Sequence, residues 1–420
     1  MKKISHKISA ASYVLLGISS PVLAESEPWL IDIGVMNFNE QDRNTGLELI
    51  VKGTRGKQDG GSISIAAELD VITGATPNGA SSSNVPQVFT MASGVDSYTV
   101  EANELPADDT HMDTRLGLET EISDPLTENL TADYSVLISM EFDYLAFAVG
   151  GALSWDLNQK NTTLVTGVNF EYNRVHPVGN TPIPFAQMQP VGQQQPRDVS
   201  AKTKKGEEFS LGLNQIIDET SLAQIRLTTS HFSGYLNDGY KVLSVVNSEN
   251  LSALGQTQAY LFESRPASRT MKSLYVAYKK SWKPGIFDAS YRVFDDNWGI
   301  HSDTLDVAFK FKLADHYFVR PNVRLYQQDS AFFYRHSLKS GEPLPDFASA
   351  DSRLAAFDAT TLGVELGKDL AIGRKQSLTI EYYTQQGDSH PQNAIGLQRQ
   401  QDLYPTLKTW VIKYVYAFKW

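Results

Sequence analysis

The 420-residue chain contains no cysteine. It has no disulfide to stiffen it and no thiolate for a metal, so stability outside the cell's reducing interior rests on burial and hydrogen bonding. Long apolar runs are missing too. Beyond residue 24 every hydrophobic stretch is broken by Lys, Glu, Asp or Asn within a few positions, which leaves no run of about 18 apolar residues for a membrane-spanning helix. Nor is positive charge in excess: 37 Lys and Arg stand against 48 Asp and Glu, for a formal charge of −11. A general nucleic-acid binder concentrates basic charge to displace phosphate counterions, so nucleic acid is not an expected partner. No G-x-S-x-G, H-E-x-x-H or P-loop pattern occurs, and Gly56-Lys57 is not followed by Ser or Thr. No cofactor is implied, and an enzyme is the less favoured expectation.

What is present begins at the N-terminus. Lys2, Lys3 and Lys7 precede the apolar run Ile8 to Leu16, and Val22-Leu23-Ala24 supplies a small-residue cleavage context. Residues 1–24 therefore read as a secretory signal peptide, and residues 25–420 as one exported domain.

Period-two alternation organises that domain. In Thr304 to Leu313, residues Leu305, Val307, Phe309, Phe311 and Leu313 face one way, while Asp306, Ala308, Lys310 and Lys312 face the other. Tyr317 to Tyr326 repeats the pattern, as do Trp410 to Trp420 and the runs through Leu164, Leu274 and Leu378. Strands of about 9 to 11 residues cross a hydrocarbon layer at a tilt, whereas soluble strands average about 5 or 6, so the longer runs favour a transmembrane wall. Sixteen strands are expected, at approximately 30–38, 46–53, 62–73, 111–123, 129–140, 144–157, 161–174, 204–218, 220–232, 270–283, 285–294, 301–314, 316–327, 355–370, 374–385 and 407–420. Short connections alternate with long ones at about 74–110, 175–203, 233–269, 328–354 and 386–406. The apolar run Lys241 to Asn247 is assigned to a long loop, because a seventeenth strand would put two short turns on opposite sides. Pro321 removes a ladder donor and is expected to mark a bulge.

The expected fold is thus all-β: a transmembrane, antiparallel, up-and-down β-barrel in the outer membrane of a Gram-negative bacterium, with both termini periplasmic. Its partners are outer-membrane lipid and the barrel-insertion machinery. Tyr172, Tyr278, Tyr382, Trp410, Tyr414 and Trp420 are candidates for anchoring at the headgroup level.

On the expected lumen face Lys310, Lys312, Arg320 and Arg324 form a ladder on two adjacent strands, joined by Arg226, Lys279, Arg292 and Lys413 and set against Asp288, Asp306, Glu365 and Glu381. Basic groups outnumber acidic ones in this set, so a cationic interior is expected to favour a small polar or anionic solute. The plainer reading of the same residues is a salt-bridged wall. His111 with Asp113, and Asp295 with Asp296, His301 and Asp303, are the densest polar clusters near strand ends; polar loop capping is the default reading, and a cation held by oxygen or imidazole ligands is the alternative.

Several longer motifs resemble the bacterial domain-of-unknown-function family 3570: LDVITGATPNGA at Leu69 to Ala80, DTR at Asp113 to Arg115, DLNQKNTTL at Asp156 to Leu164 and GYLNDGYKVLSVV at Gly234 to Val246. ESRPASRT at Glu263 to Thr270, YRVFDDNWGIHSDTL at Tyr291 to Leu305, YQQDSAFFYR at Tyr326 to Arg335 and SADSRLAAFDATTLG at Ser349 to Gly363 continue it. The resemblance implies one outer-membrane barrel and supplies no substrate or catalytic set. It also suggests that the outer loops fold into a rim or plug. The expected function is a channel or transporter for a polar or anionic compound. The alternatives are a plugged structural barrel that binds an envelope protein, and an outer-membrane hydrolase.

Overall fold

A computed structural model describes residues 28–313, 316–371 and 374–420. The expected signal peptide lies outside the described residues, as does most of the Ala314-Asp315-His316 turn. Among the described residues sixteen antiparallel strands close one barrel. They are β1 (Leu30–Glu40), β2 (Asn44–Gly56), β3 (Ser62–Pro77), β4 (Ala107–Thr127), β5 (Leu130–Met140), β6 (Tyr144–Leu157), β7 (Thr162–Val175) and β8 (Lys202–Asp218). The second half comprises β9 (Ser221–Gly234), β10 (Ser268–Trp282), β11 (Gly285–Asp296), β12 (His301–Lys312), β13 (Tyr317–Gln328), β14 (Phe357–Ala371), β15 (Arg374–Gly387) and β16 (Leu407–Lys419). Each strand pairs with its sequence neighbours, and β16 closes onto β1 with Leu30 opposite Lys419 and Glu40 opposite Thr409.

Alternation decides which side chain meets which solvent. Leu47, Leu49, Leu116, Leu118, Val136, Phe147 and Phe170 stand exposed on the outer wall. So much exposed apolar surface has no place in water, and closure leaves no unpaired strand edge in the hydrocarbon. Aromatic rings flank this band. Trp155, Tyr278, Trp282 and Tyr317 lie toward the end with the short turns, and Tyr172 and Trp410 toward the other, with the Tyr382 and Trp410 rings 4.7 Å apart.

Pro321 does not produce a bulge. The β12–β13 register is the same on both sides of it, Ala308 opposite Asn322 and Phe311 opposite Val319, while the rungs at Phe309 and Lys310 are absent. The missing proline N–H interrupts the ladder without inserting a residue.

At the end where β1 begins and β16 finishes, the connections between successive strands are short. At the other end five long loops, residues 78–106, 176–201, 235–267, 329–356 and 388–406, fold together into a cap. Its centre is a three-stranded sheet of Val242–Val246 between Thr257–Phe262 and Leu338–Lys339. The apolar run at 241–247 is therefore a strand after all, though of the cap and not of the barrel. A hairpin, Gln87–Thr90 with Ser97–Val100, packs against that sheet through Phe89, Tyr98 and Tyr260.

Candidate functional site

The site is the barrel interior together with the cap that closes one mouth. The cap crosses the barrel axis. Asn78 and Ser81 leave β3, yet Val242 N–H donates to the Asn78 carbonyl at 2.9 Å and Ser81 N–H to Ser244 Oγ at 3.0 Å in the loop after β9. Ser81 Oγ donates to the His336 carbonyl at 2.8 Å, in the loop after β13. Strands six and ten places apart are thus joined over the mouth. Leu397 N–H donates to Leu254 O at 2.9 Å and brings in the last loop, and Phe262 N–H donates to Ala186 O at 3.0 Å, which brings in residues 176–201. Phe89, Leu243, Phe262 and Phe333 are almost wholly buried within the cap. Between the cap and the wall, a cavity of about 50 Å³ beside Arg43, Lys241, His336 and Tyr404 has room for a few waters and no organic solute.

An ionic network ties two of the cap's loops together. Arg265 Nε lies 2.6 Å from Glu263 Oε1, and its Nη2 lies 2.9 Å from Asp351 Oδ2. Arg353 Nη2 meets Asp238 at 2.8 Å and pairs also with Asp351, while Ser349 Oγ donates to Glu263 at 2.5 Å. Lys241 Nζ caps the Pro77 carbonyl at the end of β3. Charge is balanced in this set, three cations to three carboxylates, which is what allows it to leave water. These residues sit inside the motif segments 234–246, 263–270 and 349–363, so the signal that marks them in the sequence is a structural lock.

Below the cap, the inward face of β10–β14 holds the expected ladder. Arg324 Nε donates to Asp306 at 2.6 Å. Arg320 reaches Asp288 at 3.8 Å and Glu365 at 3.9 Å, the former over the small Ala308. Lys310 lies 3.9 Å from Asp369 and 3.7 Å over the Phe318 ring, and Lys312 stands opposite Phe318 in register. Lys279 meets Asp288 at 3.3 Å, and Arg292 lies over Phe294 at 5.6 Å. Arg226 stands opposite Gly212 and Tyr275, Glu381 accepts from Asn322 at 3.1 Å, and Lys413 stands opposite Thr379. The ion-paired ladder residues keep their heads partly exposed, 49% for the Arg324 side chain and 36% for Arg320.

The acidic half of the wall escaped the sequence reading. The strands of the first half point Asp32, Glu48, Glu68, Asp70, Glu119, Glu121, Asp133 and Glu171 inward, between exposed neighbours such as Leu47, Leu69 and Leu118. Arg115 pairs with both Glu68 and Asp70, and Lys52 reaches Glu121 at 3.0 Å across the small Ala66. The interior is therefore divided by sign and not uniformly cationic. Applying the same alternation to segments 46–53, 62–73 and 111–123 would have revealed it.

The cation-ligand candidates are dispersed. Asp296 faces inward, held by Arg269 Nε at 2.7 Å and accepting from Trp298 and Ile300 N–H at 2.9 Å each, as a turn anchor. His301 faces outward, 3.6 Å from Asp303 and 4.0 Å from Asp295. Asp113 does gather with Glu141 and Asp143, their oxygens within 4.8 Å of one another, and Asp143 also accepts the Tyr240 hydroxyl. The side chain of His111 lies outside the described residues.

A closed antiparallel barrel with an apolar outer band and aromatic girdles is an outer-membrane structure. Among solved structures, the chain is similar to a mutant of the ferric enterobactin receptor PfeA of Pseudomonas aeruginosa. Identity is 9% and the TM-score 0.45, over 94% of this chain and 60% of the receptor. The siderophore receptor PirA of Acinetobacter baumannii gives 10% identity and a TM-score of 0.43, over 92% of this chain and 57% of that one. The outer membrane protein opdK of P. aeruginosa gives 8% and 0.39, over 95% and 100%. The chain thus spans about 60% of the length of the two receptors. No curated protein matches it in sequence. The sequence profile of the family described as "Protein of unknown function (DUF3570)" matches residues 5–418, and the chain belongs to that family.

Proposed function

We propose that the protein is a gated outer-membrane conduit for a small polar solute, with the charged lumen as its path and the loop cap as its gate. The observation that carries this reading is the inward wall, whose charged groups remain partly exposed between mid-wall and the turn end. A barrel of about sixteen strands is wide enough to hold water. A wall with a purely structural role gains little from half-exposed ion pairs, which are worth about 0–1 kcal/mol each. Lys310, Lys312, Arg320 and Arg324 form one bank of solute-contacting groups. In this reading both termini and the short turns are periplasmic, and the cap meets the exterior.

The cap also favours a second reading, a plugged barrel that presents its loops to an envelope partner. Conductance of the purified protein in planar bilayers separates the two. The native chain is expected to be closed most of the time, and Arg265→Ala, which breaks the cap's ionic network, to raise the open fraction at least about tenfold, equivalent to about 1.4 kcal/mol. A folded barrel that stays silent in both forms sinks the conduit and leaves the plugged barrel.

A further inference from the structure

The two signs of charge on the inner wall face each other. In a ring of sixteen strands, β3 and β11 stand eight places apart and are diametrically opposed. The arc centred on β3, strands β2–β4, carries five of the inward acids named above between residues 48 and 121, against Lys52 and Arg115. On the opposed arc, β10–β13, six inward Lys and Arg between residues 279 and 324 stand against Asp288 and Asp306 and against Glu365 and Asp369 of the adjoining β14, an excess of two cations, while Arg269 and Asp296 cancel as a pair. Local ion pairs therefore leave a net acidic wall facing a net basic one.

We propose that the solute is zwitterionic, with an ammonium group and a separate carboxylate, as in amino acids and short peptides. This deepens the conduit reading and rests on it. A lone anion is drawn to the basic arc and repelled by the acidic one. A neutral polar solute gains little from either. A zwitterion lying across the lumen gains at both walls, and the low-dielectric barrel focuses the field it feels. The division of charge thus selects by dipole and not by net charge.

Proteoliposome swelling tests this, with the full chain and with its Arg265→Ala form, in isosmotic glycylglycine and in erythritol, a neutral solute of similar size. Glycylglycine is expected to enter about tenfold faster, the lower range of electrostatic concentration in a charged cleft. Neutralising one arc by Glu48→Gln with Glu119→Gln, or the other by Arg292→Gln with Arg324→Gln, brings the two rates together. In bilayers the first pair shifts selectivity toward anions and the second toward cations. Equal entry of both solutes, with measurable flux through either form, overturns the zwitterion proposal and leaves the conduit standing. No flux of either solute through either form, with the barrel shown to be folded by heat-modifiable gel migration, overturns both. The comparison between solutes needs no lumen substitution, so a variant that fails to fold does not blunt it.

Discussion

Arg265 holds the cap's ionic network together, because its guanidinium touches carboxylates from two loops, Glu263 and Asp351, both almost fully buried. Removing it leaves two buried carboxylates short of a cation, a loss of about 3–5 kcal/mol for a broken buried pair. The same network sets the cap's response to pH. Burial pushes the Asp351 carboxyl up, but Arg353 and Arg265 outweigh it and hold it well below the ordinary value of 3.8. Its contribution is therefore present above pH 3.8 and lost as pH falls toward its folded value. Burial lowers the His336 imidazole below 6.5, so the folded cap binds that proton less readily than the unfolded chain and loses stability as pH falls through 6.5. Glu263, raised by burial, acts in the opposite sense and offsets part of this. Amide hydrogen exchange over residues 235–267 and 329–356 should show a shallow loss of protection below pH 6.5 and a steeper one below 3.8. His336→Asn should remove the upper step alone. A single steep loss near neutral pH, unchanged in that variant, would contradict the assignment.

Three strand pairs share one device on the inward face: an aromatic ring laid over the glycine directly opposite it. Phe38 covers Gly46, Phe232 covers Gly206 and Phe318 covers Gly367, each pair a cross-strand partner in register. The ring restores the packing surface that glycine lacks, and the glycine gives the ring a place to lie flat. At Gly367 a Cβ would collide with the Phe318 ring, on which Lys310 rests. Gly367→Val is expected to destabilise the wall by about 1–3 kcal/mol, a usual cost of overpacking, and to displace Lys310. Gly151→Ala meets only an ordinary 3.7 Å contact with Asp133 O and should be tolerated. The temperature of the gel-mobility shift reads both, and equal shifts would refute the packing account. Strands were legible because one face meets lipid: 144–157 is observed as Tyr144–Leu157, and 301–314 ends two residues early at Lys312. The register Phe38 to Gly46 was not legible, since a glycine carries no period of its own. Nor was the cap, whose Val242–Val246 strand pairs with a segment more than ninety residues away.

At the scale of the molecule, barrel and cap are held by different forces. The wall is one closed hydrogen-bonded ladder whose rupture would expose backbone groups to hydrocarbon at several kcal/mol each. The cap depends on small apolar clusters, one of which takes in Met271 and Phe294 of the wall, on loop-to-loop hydrogen bonds and on the ionic network. Water can reach it and replace those bonds, so its opening free energy lies well below that of the wall. The whole-chain charge of −11 hides this division, just as it hides the opposed arcs of the lumen. Heating should therefore open the molecule in two stages. Proteolytic cleavage within residues 235–267 and 329–356 should begin at a temperature where the barrel still migrates as the compact, unheated form on a detergent gel. The mobility shift that marks unfolding of the wall should follow at a higher temperature. Arg265→Ala should lower the first temperature and leave the second in place, because the ion-pair partners of Arg265, Glu263 and Asp351, both lie in the cap. If cleavage and mobility shift move down together in that variant, the cap is part of what keeps the barrel closed, and a gate that opens on an intact wall is the wrong description of it.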